Sequence, residues 1–147
     1  MSSIEFTLDL PAPKEKLQEL MMDYQEFPKY LPHQIKSVII IEETDDYTIT
    51  EETIHLSTVI SKTFVTQTKH YAISDNILKS EILSGPAKGS IIQIKFSEQN
   101  SLTHISAQIE IKLGLKYKFL LPLIKKSYKT FFMGILYKMQ YIVNSSG

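Results

Sequence analysis

Four histidines, sixteen carboxylates and sixteen lysines carry the ionisable chemistry of this chain, which has no cysteine. It has no arginine either, so the guanidinium fork that grips phosphate, carboxylate or guanine at two points is absent. Thiolate metal sites are excluded. Among His33, His55, His70 and His104 no pair has the i, i+4 spacing of a helical metal site, and no acid lies at a ligand-like offset, so no metal is expected. No Gly-x-Ser-x-Gly elbow presents a serine nucleophile. With five glycines and no phosphate-cradling loop, no cofactor is expected. Gly85-Pro86-Ala87-Lys88-Gly89 is too short for such a loop and reads as a tight turn, a gate at one end of a sheet. The pair that could do chemistry is Glu51 with His55. Side chains alternate along a strand, so Glu51, Thr53 and His55 share a face with Ile49. If that face is enclosed, a carboxylate and an imidazole lie within reach of general acid–base work. In the opposite phase Ile54 and Leu56 are enclosed and the pair is exposed. The residues leave both phases open. His104 falls on the polar face of its strand.

Charge is unevenly placed. Residues 1–52 hold 12 acids and 4 lysines, a balance of −8; residues 53–147 hold 4 acids and 12 lysines, a balance of +8. After Glu110 there is no acid, while Lys116, Lys118, Lys125, Lys126 and Lys129 surround an apolar stretch that includes Phe119, Leu120 and Leu121. Apolar tips ringed by lysine suit an anionic membrane surface; the competing reading is a buried hinge with a solvated rim. A ribosome or another complex is a weaker partner candidate for the same lysines. Sequence-specific nucleic-acid binding is not expected, because no stacking aromatics accompany them. The lack of cysteine fits a reducing compartment, and the start Met-Ser-Ser-Ile-Glu has neither the basic nor the apolar region of a secretion signal, so a cytoplasmic protein is expected.

The elements that must position these residues are legible from periodicity. Ile4, Phe6, Leu8 and Leu10 alternate as a half-buried strand that Pro11 and Pro13 end. Leu17, Leu20 and Met21 give a short helix over about 13–22, followed by a second helix or turn over 24–30. From 35 to 113 β-branched residues and recurrent turn signals predict strands near 35–44, 47–57, 60–71, 77–84, 90–97 and 103–113. Their turns fall at Asp45-Asp46, around Val59, at Ser74-Asp75-Asn76, at 85–89 and at 98–101, short enough for an antiparallel meander. A helix over 122–143, opened by Pro122, carries Ile124, Tyr128, Phe131, Phe132, Ile135, Met139 and Ile142 on one face. A seven-stranded sheet with one wet face must cover the other, and only this helix is large enough. Space left between a curved sheet and one helix is a natural ligand cavity.

Four segments are similar to the START-like, helix-grip (SRPBCC) superfamily, in particular its polyketide cyclase / coenzyme Q-binding branch, which includes the ribosome-association toxin. Asp23-Tyr24-Gln25-Glu26-Phe27-Pro28-Lys29-Tyr30-Leu31-Pro32 resembles that branch's Asp-x-x-x-Tyr-Pro-x-Phe-Leu-Pro. Ile60-Ser61-Lys62-Thr63-Phe64-Val65-Thr66 resembles its Ser-Lys-Thr-Phe strand, Leu83-Ser84-Gly85-Pro86 its Gly-Pro turn, and Lys95-Phe96 the end of its Trp-x-Phe strand. Three positions depart from the pattern: Ala87 for an aromatic, Ile94 for the tryptophan, and Gln67 for a basic residue, changes that would open the pocket mouth and remove donors. The resemblance implies an α+β helix-grip fold with two short helices after strand one, and a ligand such as a lipid, an isoprenoid quinone or a polyketide. It also favours the phase that turns Glu51 and His55 inward, the arrangement of a cyclase- or dehydratase-like enzyme.

The expectation is therefore one domain over 1–147 that binds an apolar molecule and is not an enzyme on its own. Its pocket is expected to draw on Phe64, Leu78, Ile82, Ile92, Ile94, Phe96, Ile105, Ala107, Ile109, Tyr128, Phe131, Phe132, Ile135 and Met139, with Val65 competing with Phe64 for the inward position.

Overall fold

The computed structural model describes residues 2–57 and 61–145. In chain order the elements are β1 (Ser2–Leu10), α1 (Lys14–Met21), a 3-10 helix (Tyr24–Lys29), β2 (Ile35–Glu43), β3 (Thr48–Ser57), β4 (Ser61–Ser74), β5 (Ile77–Ile82), β6 (Ile91–Gln99), β7 (Leu102–Ile111), a second 3-10 helix (Leu115–Leu120) and α2 (Leu121–Ser145). The strands form one sheet in the order β1-β7-β6-β5-β4-β3-β2, every pair antiparallel. This is the curved seven-stranded sheet and long C-terminal helix of a helix-grip fold. The turn expected around Val59 lies outside the described residues.

Alternation decides which face is covered. In β1, Phe6, Leu8 and Leu10 are buried while Glu5, Thr7 and Asp9 are exposed; in β7, Thr103, Ile105, Ala107, Ile109 and Ile111 are buried while His104 and Gln108 are exposed. Register shifts between Ile35 and Ser37, between Ile40 and Glu42, and between Ala72 and Ser74 break the ladder where the sheet bends. Asn100 and Ser101, both at positive φ (53° and 67°), make the two-residue link from β6 to β7, the turn that matches the twist of a hairpin.

α2 begins at Leu121, one residue ahead of Pro122, and its 25 residues span about 37 Å. Pro122 is tolerated there because first-turn N–H groups have no intrahelical acceptor. α1 is pinned to the far end of the sheet: Glu98 accepts the backbone N–H of Lys14 at 2.8 Å, and Thr103 donates to the Ala12 carbonyl at 2.5 Å. Lys138 of α2 donates to the Tyr30 carbonyl. Between α1, α2, β1, β6 and β7 lies a solid core that includes Leu17, Phe96, Ile105, Ile109, Leu136 and Met139, each at most 1% exposed.

Candidate functional site: a cavity with one polar wall

At the other end of α2 the packing opens. Between its first half and strands β2–β6 lies a cavity of roughly 230 Å³. Phe64, Leu78, Ile82, Ile92, Ile94, Tyr128, Phe131, Phe132 and Ile135, all expected as pocket residues, border it. Phe96, Ile105, Ala107, Ile109 and Met139 do not. They are buried in the solid core, because α1 and the second half of α2 close over β1, β6 and β7. Met21, Tyr24 and Phe27 close the cavity from the α1 side, and Pro86 and Ala87 border it from the β5–β6 turn. Gly85 must be glycine: its φ is +92°, and a Cβ there would lie 2.7 Å from Thr66 Cγ2.

The β3–β4 pairing overturns the inward phase expected for Glu51 and His55. Opposite residues in an antiparallel pair share a face, and the register places Ile54 opposite Phe64, Glu52 opposite Thr66, and Thr50 opposite Thr68. Phe64 borders the cavity while Val65 is 54% exposed, so Ile54, Glu52 and Thr50 turn inward as well. Glu51 and His55 stand on the convex side. Glu51 accepts from Gln67 Nε2 at 3.1 Å, and His55 meets Thr63 at 3.0 Å and Ser61 at 3.4 Å. No acid–base pair of theirs reaches the cavity. Gln67 is on that outer side too, so its replacement of a basic residue removes no donor from the cavity.

What the inward phase does present is a polar wall. Glu52 Oε1 accepts from Thr50 at 2.5 Å; its Oε2 accepts from Thr66 at 3.0 Å and Thr68 at 3.2 Å. His70 contacts Thr50 through Nε2 at 2.8 Å and Ser80 through Nδ1 at 2.7 Å. Its Nε2 is 3.8 Å from Glu52, and both side chains are 14% exposed. The Tyr24 ring stacks on the His70 ring, centroids 4.1 Å apart and 17° from parallel. Burial pushes the Tyr24 phenol up to about 12. Burial and, secondarily, the Glu52 charge push the Tyr128 phenol of α2 up to about 12. None of Thr50, Glu52, Thr66, Thr68, His70 and Ser80 was singled out from sequence. The signal was there: once Phe64 is inward, period two carries Thr66, Thr68 and His70 inward with it.

A second hollow of roughly 200 Å³ adjoins the first, lined by Leu56, Lys62, Phe64, Lys116, Tyr117, Phe119, Leu120, Leu123 and Ile124. Lys62 sits over the Phe64 and Tyr117 rings, 5.6 and 5.9 Å from their centres. The apolar tips expected at 119–121 are placed differently. Phe119 is 69% exposed, but Leu120 is buried at 8% and Leu121 is half-buried, because the 3-10 helix turns both toward the core; Leu115, at 84%, is the other exposed tip. Lys116, Lys118, Lys126 and Lys129 are exposed and Lys125 is half-exposed.

No protein-family model and no curated protein matches the chain. Solved structures do match in fold. A START superfamily protein from Mycobacterium smegmatis superposes with TM-score 0.78 at 13% identity, covering 99% of both chains. The Zhui aromatase/cyclase from Streptomyces sp. R1128 gives 0.82 at 13% identity over 99% of this chain and 98% of its own. Ara h 8.0201 gives 0.71 at 20% identity over 98% of both. At 13–20% identity the likeness to these proteins, a START superfamily member among them, is one of fold.

Proposed function

We propose that this protein binds an apolar small molecule, of the lipid, isoprenoid quinone or polyketide-like kind, between the sheet and the first half of α2, and carries it without converting it. One observation carries the reading: a cavity of roughly 230 Å³, walled mainly by Ile, Leu and Phe side chains, beside a core of fully buried side chains. Water in an apolar enclosure lacks hydrogen-bond partners, so such a space favours an apolar guest. Fold neighbours that include a START protein and an aromatase/cyclase are compatible with this ligand class. The cyclase-like alternative built on His55 and Glu51 is not carried further, because both side chains lie outside the cavity. Native mass spectrometry of the protein, exposed to a lipid extract and then stripped with organic solvent, tests the proposal. It predicts an adduct that the solvent removes; only the bare mass would refute it.

A second reading concerns where the guest enters. Phe119, which lines the second hollow, and Leu115 expose apolar surface, with lysines around them. An apolar ligand is scarce in water, so loading at an anionic lipid surface would be efficient. Each lysine near such a surface contributes about 1 kcal/mol, and five acting together would give about 5 kcal/mol, a sub-millimolar association. Flotation with anionic vesicles is expected to show binding that fades with salt, since exposed charges are screened beyond about 10 Å at 0.1 M. Binding to neutral and anionic vesicles alike would contradict it, and salt-sensitive co-sedimentation with ribosomes instead would favour the interaction-module alternative.

A further inference from the structure

Resting on the proposal that the cavity takes an apolar guest, we infer that this guest carries a hydrogen-bond-donating head, a hydroxyl or an ammonium, received by Glu52, and that a carboxylate head is rejected. The cavity is apolar except along the wall formed by β3, β4 and β5, and the hydrogen-bond roles on that wall are determined. An ionised carboxylate only accepts, at about four lone-pair positions. Two at Glu52 Oε2 are taken by Thr66 and Thr68, and one at Oε1 by Thr50. One position at Oε1 remains.

His70 does not fill it. The single proton of Thr50 goes to Glu52, so the Thr50 oxygen must accept from His70 Nε2, 2.8 Å away. The imidazole spends its Nε2 proton there, stands 3.8 Å from the carboxylate, and is held at Nδ1 by Ser80 and across its face by Tyr24. Among the described residues it is the one basic group within ion-pair distance of Glu52. Lys79 borders the cavity but pairs with Tyr71 on β4, alternating away from the inward face of Ser80. The surroundings thus hold an acceptor-rich, negatively charged wall without a lysine or arginine counter-ion.

From α2, Tyr128 faces this charge, and its hydroxyl is raised by burial and by Glu52. No protein hydrogen bond of that hydroxyl is seen among the described residues, so it can turn toward the same head group. An alcohol donates to Glu52 and accepts from Tyr128; an ammonium donates to both and neutralises the carboxylate. A ligand carboxylate would place two like charges together in a low-dielectric space.

The test is isothermal titration with three probes that share one chain: 1-octanol, octylamine and octanoate. The intact protein is expected to bind octanol and octylamine at least about tenfold more tightly than octanoate, the scale of one hydrogen bond to a charged group. Glu52→Gln is expected to shrink that ratio to about twofold or less while octanol still binds. Octanoate binding as tightly as octanol, or a ranking unchanged in the variant, overturns the head-group assignment and leaves the apolar cavity standing. Failure of all three probes overturns the cavity reading as well. Should Glu52→Gln not fold, the ranking in the intact protein decides the matter by itself.

Discussion

The two halves of α2 face the same sheet and meet opposite kinds of interior. Its second half lays Leu136 and Met139 into a core shared with Phe6, Leu8, Leu10, Phe96, Ile105 and Ile109. Its first half faces Thr50, Glu52, Thr66, Thr68 and His70 across open space. Two causes separate them. At the solid end α1 fills the angle between helix and sheet with Leu17. At the open end the inward positions Thr50, Glu52, Thr66, Thr68 and His70 are polar and already bonded to one another, so there is little to gain by collapsing the helix onto that wall. The polar wall holds the cavity open as much as it decorates it.

That contrast predicts unequal tolerance to truncation. Phe96→Ala, at a fully buried site, should cost about 3–5 kcal/mol in urea unfolding, whereas Phe132→Ala, at the cavity wall, should cost no more than about half of that. Equal losses would erase the distinction. Alkaline titration sharpens it next. A phenol whose folded value lies above its unfolded value contributes stability that is fully present below pH 10 and is lost as pH rises toward 12. With Tyr24 and Tyr128 both held up to about 12 from 10.0, each should contribute on the order of 2–3 kcal/mol that disappears in that window. Tyr128→Phe should flatten the decline between pH 10 and 12, and in tyrosinate absorbance Tyr24 and Tyr128 should titrate last. Gly85→Ala should cost about 1–3 kcal/mol through its positive φ and its clash with Thr66, read by thermal unfolding. The smallest effect belongs to the exposed tips. Leu115→Ser with Phe119→Ser should leave stability within about 0.5 kcal/mol and abolish vesicle flotation. Leu120→Ser, at a buried position, should destabilise the fold instead.

At the solid end the sequence carries which face is covered but not that the space is filled, since Phe96, Ile105, Ala107, Ile109 and Met139, expected at the cavity, lie in the core. Alternation in 4–10 and 103–111 and the apolar face of the last helix require no long-range information, and the structure follows them. The open end is harder to read because the inward residues of its β3–β4 wall are polar, and polarity ordinarily marks the wet face. Phe64 reads inward, but the residues of β3 leave its phase open, and the resemblance tips Glu51 and His55 inward. Had the β3–β4 register been known, the inward position of Phe64 would have required Ile54 inward and His55 out. The cavity rim failed for another reason: Leu120 and Phe119 are equally apolar in sequence, and only the turn of the 3-10 helix buries one and exposes the other.

The central claim, that one end of this interior is unfilled, is tested most directly by adding the same ring at both ends. Leu78 borders the cavity and Ile105 is 0% exposed in the solid core. Urea unfolding of Leu78→Phe is expected to show stability within about 0.5 kcal/mol of the parent, with weakened octanol binding, while Ile105→Phe loses about 1–3 kcal/mol to overpacking. Equal losses from the two substitutions would mean that both ends are packed alike and that the cavity is not there to be filled.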